Sequence, residues 1–225
     1  MGDSKTLVAK SFFSSENANS YESLVKLATF GRDSVWKRNL AKRLTLDNYC
    51  ILDLACGTGI LSSYISQPTE RIIIGSDLTR DYLLRARHRG AYVLLTNSIA
   101  ESLPYRSRIF DAVISSYLAK YVDLGQVVKE HWRILNSGGM VVFHDFTLPE
   151  GNFIKDFWKL YFKILHLSGV FIRNWKDAFS GLDKVIIESN WVERLISELN
   201  KTGFRSIFCK YYTWGTSAIV SAIKP

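Results

Sequence analysis

"ILDLACGTGI", residues 51 to 60, decides the fold. An apolar run carrying one carboxylate, Asp53, breaks off into Gly57, Thr58 and Gly59. Continuous hydrophobicity over so short a length suits a strand covered on both faces, as in a parallel sheet. A glycine turn directly after such a strand lies where parallel sheets bind ligands, outside the carboxyl ends of the strands. Glycine supplies positive φ there and has no Cβ to block a close approach.

The pattern repeats outward from this stretch. "YCILDLA" (49–55), "RIIIGSD" (71–77), "YVLLTN" (92–97), "FDAVISS" (110–116) and "GMVVFHDF" (139–146) are short, apolar and rich in β-branched residues. Between them, 78–90 and 124–139 read as helices, stopped at Gly90 and before Gly138. This alternation predicts βαβ units in a doubly wound α/β sheet. Late in the chain "WVERLISELNKTGF" (191–204) reads as an amphipathic helix ending at Gly203. "RSIFCKYY" (205–212) and "SAIVSAIK" (217–224) follow with only a short turn between them, which predicts an antiparallel hairpin at the sheet edge.

With 225 residues, 47% of them hydrophobic and 22% charged, the chain is expected to form one globular domain, 1–225. Residues 1–48 precede the sheet as a helical lid, and 151–190 interrupt it as an insertion on the acceptor side. The first ten residues hold no apolar signal core, and no run of about eighteen apolar residues is free of charge. A cytoplasmic protein is expected. Cys50, Cys56 and Cys209 show no metal-ligand spacing and read as reduced thiols, two of them on buried strands. The net charge of +8 attracts phosphate-bearing partners in general and singles out none.

Two neighbours sharpen the glycine turn. A dinucleotide fingerprint needs glycine at position 62, where the chain has Ser62. Asp77 closes the second strand about twenty residues after the turn, where a carboxylate accepts hydrogen bonds from vicinal ribose hydroxyls. The site reads as one for a nucleoside without a pyrophosphate.

D-x-A-C-G-T-G (53–59) resembles motif I of the S-adenosylmethionine-dependent methyltransferases with a seven-stranded, mostly parallel sheet. The resemblance implies S-adenosylmethionine as cofactor. It implies that Asp53 holds the methionine ammonium through water, that Gly57 and Gly59 face methionine and ribose, and that Asp77 binds the ribose diol. Ala55, Thr58, Leu78, Asn97, Ser98 and Ser115 complete the implied cofactor set. Ile99 stands where the family commonly has an acid that reads adenine, which leaves Asn97, Ser98 or backbone for that task.

The flanks resemble the menaquinone and ubiquinone C-methyltransferases of the UbiE type. Residues 12–40 are similar to that family's opening through Phe13, Tyr21, Gly31, Trp36, Lys37 and Arg38, and 143–165 to its segment after the fifth strand. "DAFSGLDKV" (177–185) keeps only Phe179 and Leu182 of the phrase that shapes the acceptor pocket. The implied reaction is C-methylation of a quinol-like or other apolar small molecule. Phospholipid N-methylation is the nearest alternative, followed by RNA or protein methylation.

In 153–167, Ile154, Phe157, Trp158, Tyr161 and Leu165 form one helical stripe, and Lys155, Lys159 and Lys163 form another. Such a helix suits a lid over a greasy pocket or a place at a lipid headgroup layer, so peripheral membrane contact is expected and a nucleic-acid partner is not. Transfer to a ring carbon is helped by a base that deprotonates the adjacent hydroxyl. His144 and Asp145, at the carboxyl end of the fifth strand, are the first candidates, with Tyr21 and Tyr117 behind them.

Overall fold

The computed structural model describes residues 20–65, 71–169 and 176–225. Phe13 and the rest of 1–19 lie outside the described residues. Two helices lead in, α1 (Tyr21–Ala28) and α2 (Arg32–Ala41). The sheet follows: β1 (Cys50–Leu54), a short α3 (Ser62–Ile65), β2 (Ile72–Asp77), α4 (Arg80–His88), β3 (Leu94–Asn97), β4 (Phe110–Ser116), α5 (Leu124–Ile134) and β5 (Leu135–Phe146). After it come α6 (Asn152–Gly169), α7 (Lys176–Ser189), α8 (Trp191–Thr202), β6 (Arg205–Tyr212) and β7 (Ser217–Ile223).

The seven strands form one sheet in the order β3-β2-β1-β4-β5-β7-β6. The first five are parallel, β7 pairs antiparallel with β5, and β6 with β7. This is the expected doubly wound sheet with its terminal hairpin. β7 occupies an interior place and is buried along all but its last residue. One core face packs Val113, Val141 and Val220 against α5 and α8, and the other packs Ile51, Ile114 and Val142 against Leu40 of α2.

Helix ends follow local chemistry. Asp123 caps α5 by accepting from the Gly125 and Gln126 N–H groups at 3.0 and 3.2 Å. Gly203, at φ 104°, closes α8 where a stop was expected. The fifth strand departs from expectation, because the chain leaves the helix at Ile134 and not before Gly138. Arg108 and Ile109 donate to the carbonyls of Arg133 and Ile134 at 3.0 and 2.8 Å, which draws this segment into the sheet early. Gly138, in the left-handed region, then bends a strand that is already under way. Cys50, Cys56 and Cys209 are free thiols, and the buried one is Cys56 in the turn, not the two on strands.

Candidate functional site

β1 turns to pair with β4 on one side and β2 on the other, so the order of the strands reverses there. An open pocket of about 790 Å³, continuous with solvent, lies at the carboxyl ends of these strands. Its floor comes from Leu54, Ala55 and Gly57 after β1 and from Ser76, Asp77 and Leu78 at β2. Ser116 and Tyr117 after β4 form one wall, and Tyr21 of α1 reaches in from above.

The turn after β1 places Ala55, Gly57 and Gly59 at φ 56°, 55° and 83°. An alanine in the left-handed region is strained relative to glycine, so this turn is held by its neighbours. Asp77 holds it most directly. Its carboxylate accepts from Gly57 N–H at 2.8 Å and from Thr79 N–H at 2.8 Å, which fixes the turn against the end of β2. Burial raises the Asp77 pKa to about 6, although the Thr79, Gly57 and Leu78 N–H groups oppose it.

Asp53 sits inside β1, 1% exposed, behind the turn. One oxygen accepts from the Tyr92 hydroxyl at 2.7 Å, and the other is buried with no partner among the described residues. Burial raises its pKa to about 7, against the Tyr92 hydrogen bond and the charge of Lys37. Tyr92 escaped the sequence reading because it looks like the start of a strand. Its route to Asp53 depends on two glycines. A Cβ on Gly75 would stand 2.9 Å from the Tyr92 ring, and one on Gly59 would stand 3.1 Å from it. Gly59 is therefore explained by packing under Tyr92, and it does not line the pocket.

An orphaned buried carboxylate oxygen beside a cationic group's expected place, with a second carboxylate near a ribose, fits a sulfonium nucleoside. Of the residues expected to hold one, Ala55, Gly57, Asp77, Leu78 and Ser98 line the pocket. Thr58 and Ser115 act from behind. The Thr58 carbonyl accepts from Arg89 at 2.6 Å, and the Ser115 hydroxyl donates to the Leu54 carbonyl at 2.9 Å. Asn97 turns away from the pocket, its amide bonded to the carbonyls of Asp77 and Leu78 at 2.9 and 2.8 Å. Ser98 shares a hydrogen bond with Ser76 at 2.6 Å, and Ile99 and Glu101 lie beside it on the wall.

The pocket is rich in tyrosine. Tyr21, Tyr82, Tyr117 and Tyr121 all line the pocket. Tyr21 meets Tyr82 edge to face, with centroids 5.6 Å apart. Tyr117 has φ 67°, stacks on Phe146 with centroids 4.7 Å apart, and donates to Asp33 of α2 at 2.7 Å. Lys37 donates to the same Asp33 oxygen at 2.6 Å. Burial first, then the Asp33 charge, raises the pKa of both Tyr21 and Tyr117, so both phenols keep their protons at neutral pH.

His144 and Asp145 are not among the lining residues. Both His144 ring nitrogens are taken, one by Ser116 at 2.7 Å and one by Ser217 at 2.8 Å. Burial, then the charges of Lys37 and Lys120, pushes its pKa well down. Asp145 is tied to Lys120 at 2.5 Å, with both side chains essentially inaccessible. These two residues knit β4, β5 and β7 together and lie behind the lining of the pocket. The alternation of the strand made them look available, but the neighbouring strands' serines and the lysine after β4 could not be read from spacing.

The profile of the ubiE/COQ5 methyltransferase family matches residues 1–224. A UbiE ubiquinone/menaquinone biosynthesis C-methyltransferase from Desulfotalea psychrophila is 30% identical over 213 residues, covering 92% of this chain and 87% of its own length. A demethylmenaquinone methyltransferase from Deinococcus radiodurans is 28% identical over 194 residues, covering 83% of this chain and 80% of the relative. In three dimensions, an S-adenosylmethionine-dependent methyltransferase from Thermotoga maritima aligns with a TM-score of 0.64 at 19% identity, over 94% of this chain and 97% of its own. One from Aquifex aeolicus aligns with a TM-score of 0.62 at 13% identity, over 95% and 100%. At such identities the structural likeness speaks for the fold alone.

Proposed function

Since the chain belongs to the ubiE/COQ5 methyltransferase family and is an S-adenosylmethionine-dependent methyltransferase, we propose that it methylates a ring carbon of a quinol-like, lipophilic acceptor held beneath α1. The observation that carries this reading is the composition of the pocket. Asp77 and the turn after β1 line it with Tyr82 beside them, and Tyr21, Tyr117 and Tyr121 line it with Leu118 and Val122. A flat aromatic ring with polar edges fits such walls better than a charged headgroup or a nucleotide strand.

In this reading Asp77 receives the ribose diol, and Asp53 meets the methionine ammonium through water. Ala55 and Leu78 pack against the nucleoside, and Ser98 and Ile99 lie at its adenine end. The bound sulfonium supplies the methyl group. Displacement at that carbon depends on alignment and on exclusion of water, which Tyr21 of the lid and the tyrosine walls provide. The acceptor's hydroxyl donates to the Tyr117 oxygen. Formation of the carbon–methyl bond would break the sulfur–methyl bond and leave a thioether, while the hydroxyl proton would pass to Tyr117 and the Tyr117 proton to Asp33 along the existing 2.7 Å bond. The ring hydrogen at the methylated carbon would then leave as a proton to water, restoring aromaticity, and the oxygen would take a proton back from Tyr117. α1, α2, α6 and α7 act as the lid and acceptor-side elements around the sheet domain. A quinol with a long tail resides in a bilayer, so the reading includes peripheral membrane contact and no nucleic-acid partner.

The test uses methyl-labelled S-adenosylmethionine with reduced naphthoquinones, tailed and tail-less, in detergent. Label on a ring carbon is the expected result. Label confined to a phospholipid amine, to RNA or to protein overturns the reading.

A further inference from the structure

The helix α6 has two apolar faces. Trp158 and Phe162 turn inward and pack with Ile186 of α7, beside half-buried Tyr161 and Leu165. That inner face differs from the stripe read in the sequence, because Phe157 is 63% exposed. Phe157 belongs to a second stripe, Phe153, Phe157, Leu160, Ile164 and Leu167, all of them more than half exposed. Their 4-3-4-3 spacing sets them on one line along the helix. Large side chains in a continuous exposed stripe are a mark of an interaction surface.

The stripe continues onto the lid. The Tyr161 hydroxyl donates to the Ala28 carbonyl at the end of α1. The Phe30 ring lies 6.0 Å from the Tyr161 ring, and Tyr161 is one turn from both Phe157 and Ile164. Phe30 is 80% exposed and sits at φ 48°, so the chain carries an aromatic side chain in a conformation that favours glycine and aims it at solvent. Leu27, 70% exposed, is its neighbour on α1. On one side of this stripe α6 carries exposed Lys159 and Lys163, with Asp156, which pairs with Lys159 at 3.6 Å.

We infer that the outer face of α6, with Leu27 and Phe30, docks the protein on an anionic lipid bilayer, the aromatic and aliphatic side chains entering the headgroup layer and the lysines meeting lipid phosphates. No described helix is long and apolar enough to cross a membrane, so the contact is made from the surface. Charge selects a bilayer over a second copy of the chain. Two copies joined through this face would bring two lysine rows together on molecules that each carry +8. The apolar repeat spans only about two heptads, short of the three or four that sustain a coiled coil. An interfacial helix, in contrast, combines an apolar face with flanking lysines. The inference rests on the quinol reading for its purpose, since the face adjoins the lid whose Tyr21 lines the pocket and would set that pocket against the acceptor's reservoir.

The experiment is co-flotation of the full chain with vesicles of phosphatidylcholine alone and of phosphatidylcholine with phosphatidylglycerol, at low and high salt. Flotation with the anionic vesicles, weakened by salt, is expected. The paired variant Phe157→Ser, Ile164→Ser should lower vesicle affinity tenfold or more, and Lys159→Glu, Lys163→Glu should remove the preference for anionic lipid. Both variants should keep the wild-type melting temperature and the wild-type turnover of a tail-less quinol, while turnover of a tailed quinol in vesicles falls for the paired variant. Absence of flotation, or equal flotation of wild type and the paired variant, overturns the inference. So does a wild-type dimer, seen by light scattering, that the serine substitutions dissociate. Flotation that follows these substitutions without any quinol methylation supports the docking face and removes the acceptor reading alone.

Discussion

At Asp53 and Asp77 a carboxylate is buried where its charge is needed, and burial sets the pKa of one near 7 and of the other near 6. Only the ionised forms pair with an ammonium or accept from both ribose hydroxyls. Cofactor affinity is therefore expected to fall as the pH drops through these values, with titration calorimetry between about pH 5 and 8 as the check. The same shifts act oppositely on the free protein. A carboxylate whose folded pKa is raised contributes stability that is present below its unfolded value, near 4, and lost as the pH rises through the folded value. Asp53→Asn should thus raise the melting temperature of the ligand-free protein above pH 7 and flatten its pH dependence. It should also weaken S-adenosylmethionine binding by roughly 10- to 100-fold, the size of a lost hydrogen bond to a charged group. His144 gives the reverse pattern. Its bonds to Ser116 and Ser217 bridge three strands. His144→Ala should cost about 2 kcal/mol of stability and leave turnover per folded molecule nearly intact, read by denaturant melts beside initial rates.

Among the elements, α1 and α4 meet through the Tyr21–Tyr82 ring contact and through Arg89. Arg89, at the end of α4, donates from Nε to the Thr58 carbonyl and from Nη2 to Glu22 of α1, so one guanidinium clasps both the glycine turn and the lid. Burial raises the Glu22 pKa, but the bonds to Arg89 and Thr58 outweigh it and leave the carboxyl below its ordinary value. The pair is one-third or more exposed, and surface ion pairs contribute about 0–1 kcal/mol. Arg89→Ala should therefore barely move the melting temperature yet raise KM for S-adenosylmethionine several-fold, and combination with Glu22→Gln should be less than additive. Gly59→Ala should be worse than its size suggests, because φ is 83° and the new Cβ meets Arg89 and Tyr92 at 3.1 Å. A loss of about 1–3 kcal/mol in thermal melts is the expected outcome.

Elements were legible in the chain wherever one covered strand or one amphipathic helix explained the pattern, as in 110–116 and 191–204. The boundary between α5 and β5 was not, because the carbonyl partners at Arg133 and Ile134 come from residues 108 and 109 across a turn. α6 was half legible, since apolar residues on both of its faces blur a single stripe. The placement of Asp53 and Asp77 on their strands and of Gly57 in the turn was legible, because motif spacing follows from the strand–turn geometry. Tyr92 and Asp33 were not, because their roles exist only through contacts with Asp53 and Tyr117, 39 and 84 residues away in the chain.

At the scale of the molecule the position of β7 has the widest reach. It lies between β5 and β6, is buried almost throughout, and supplies Ser217 to the His144 bridge. Just beyond it, Lys224 reaches the carbonyls of Trp132 and Leu135 at 2.7 Å, pinning the junction of α5 and β5. The sheet's interior is thus closed by the strand that comes last of the seven in chain order. A nascent chain can pair β1 to β5 before β7 has emerged from the ribosome, but β5 keeps an open edge until β7 arrives. Truncation before Ser217 should therefore yield an aggregation-prone sheet edge in place of a weakened enzyme.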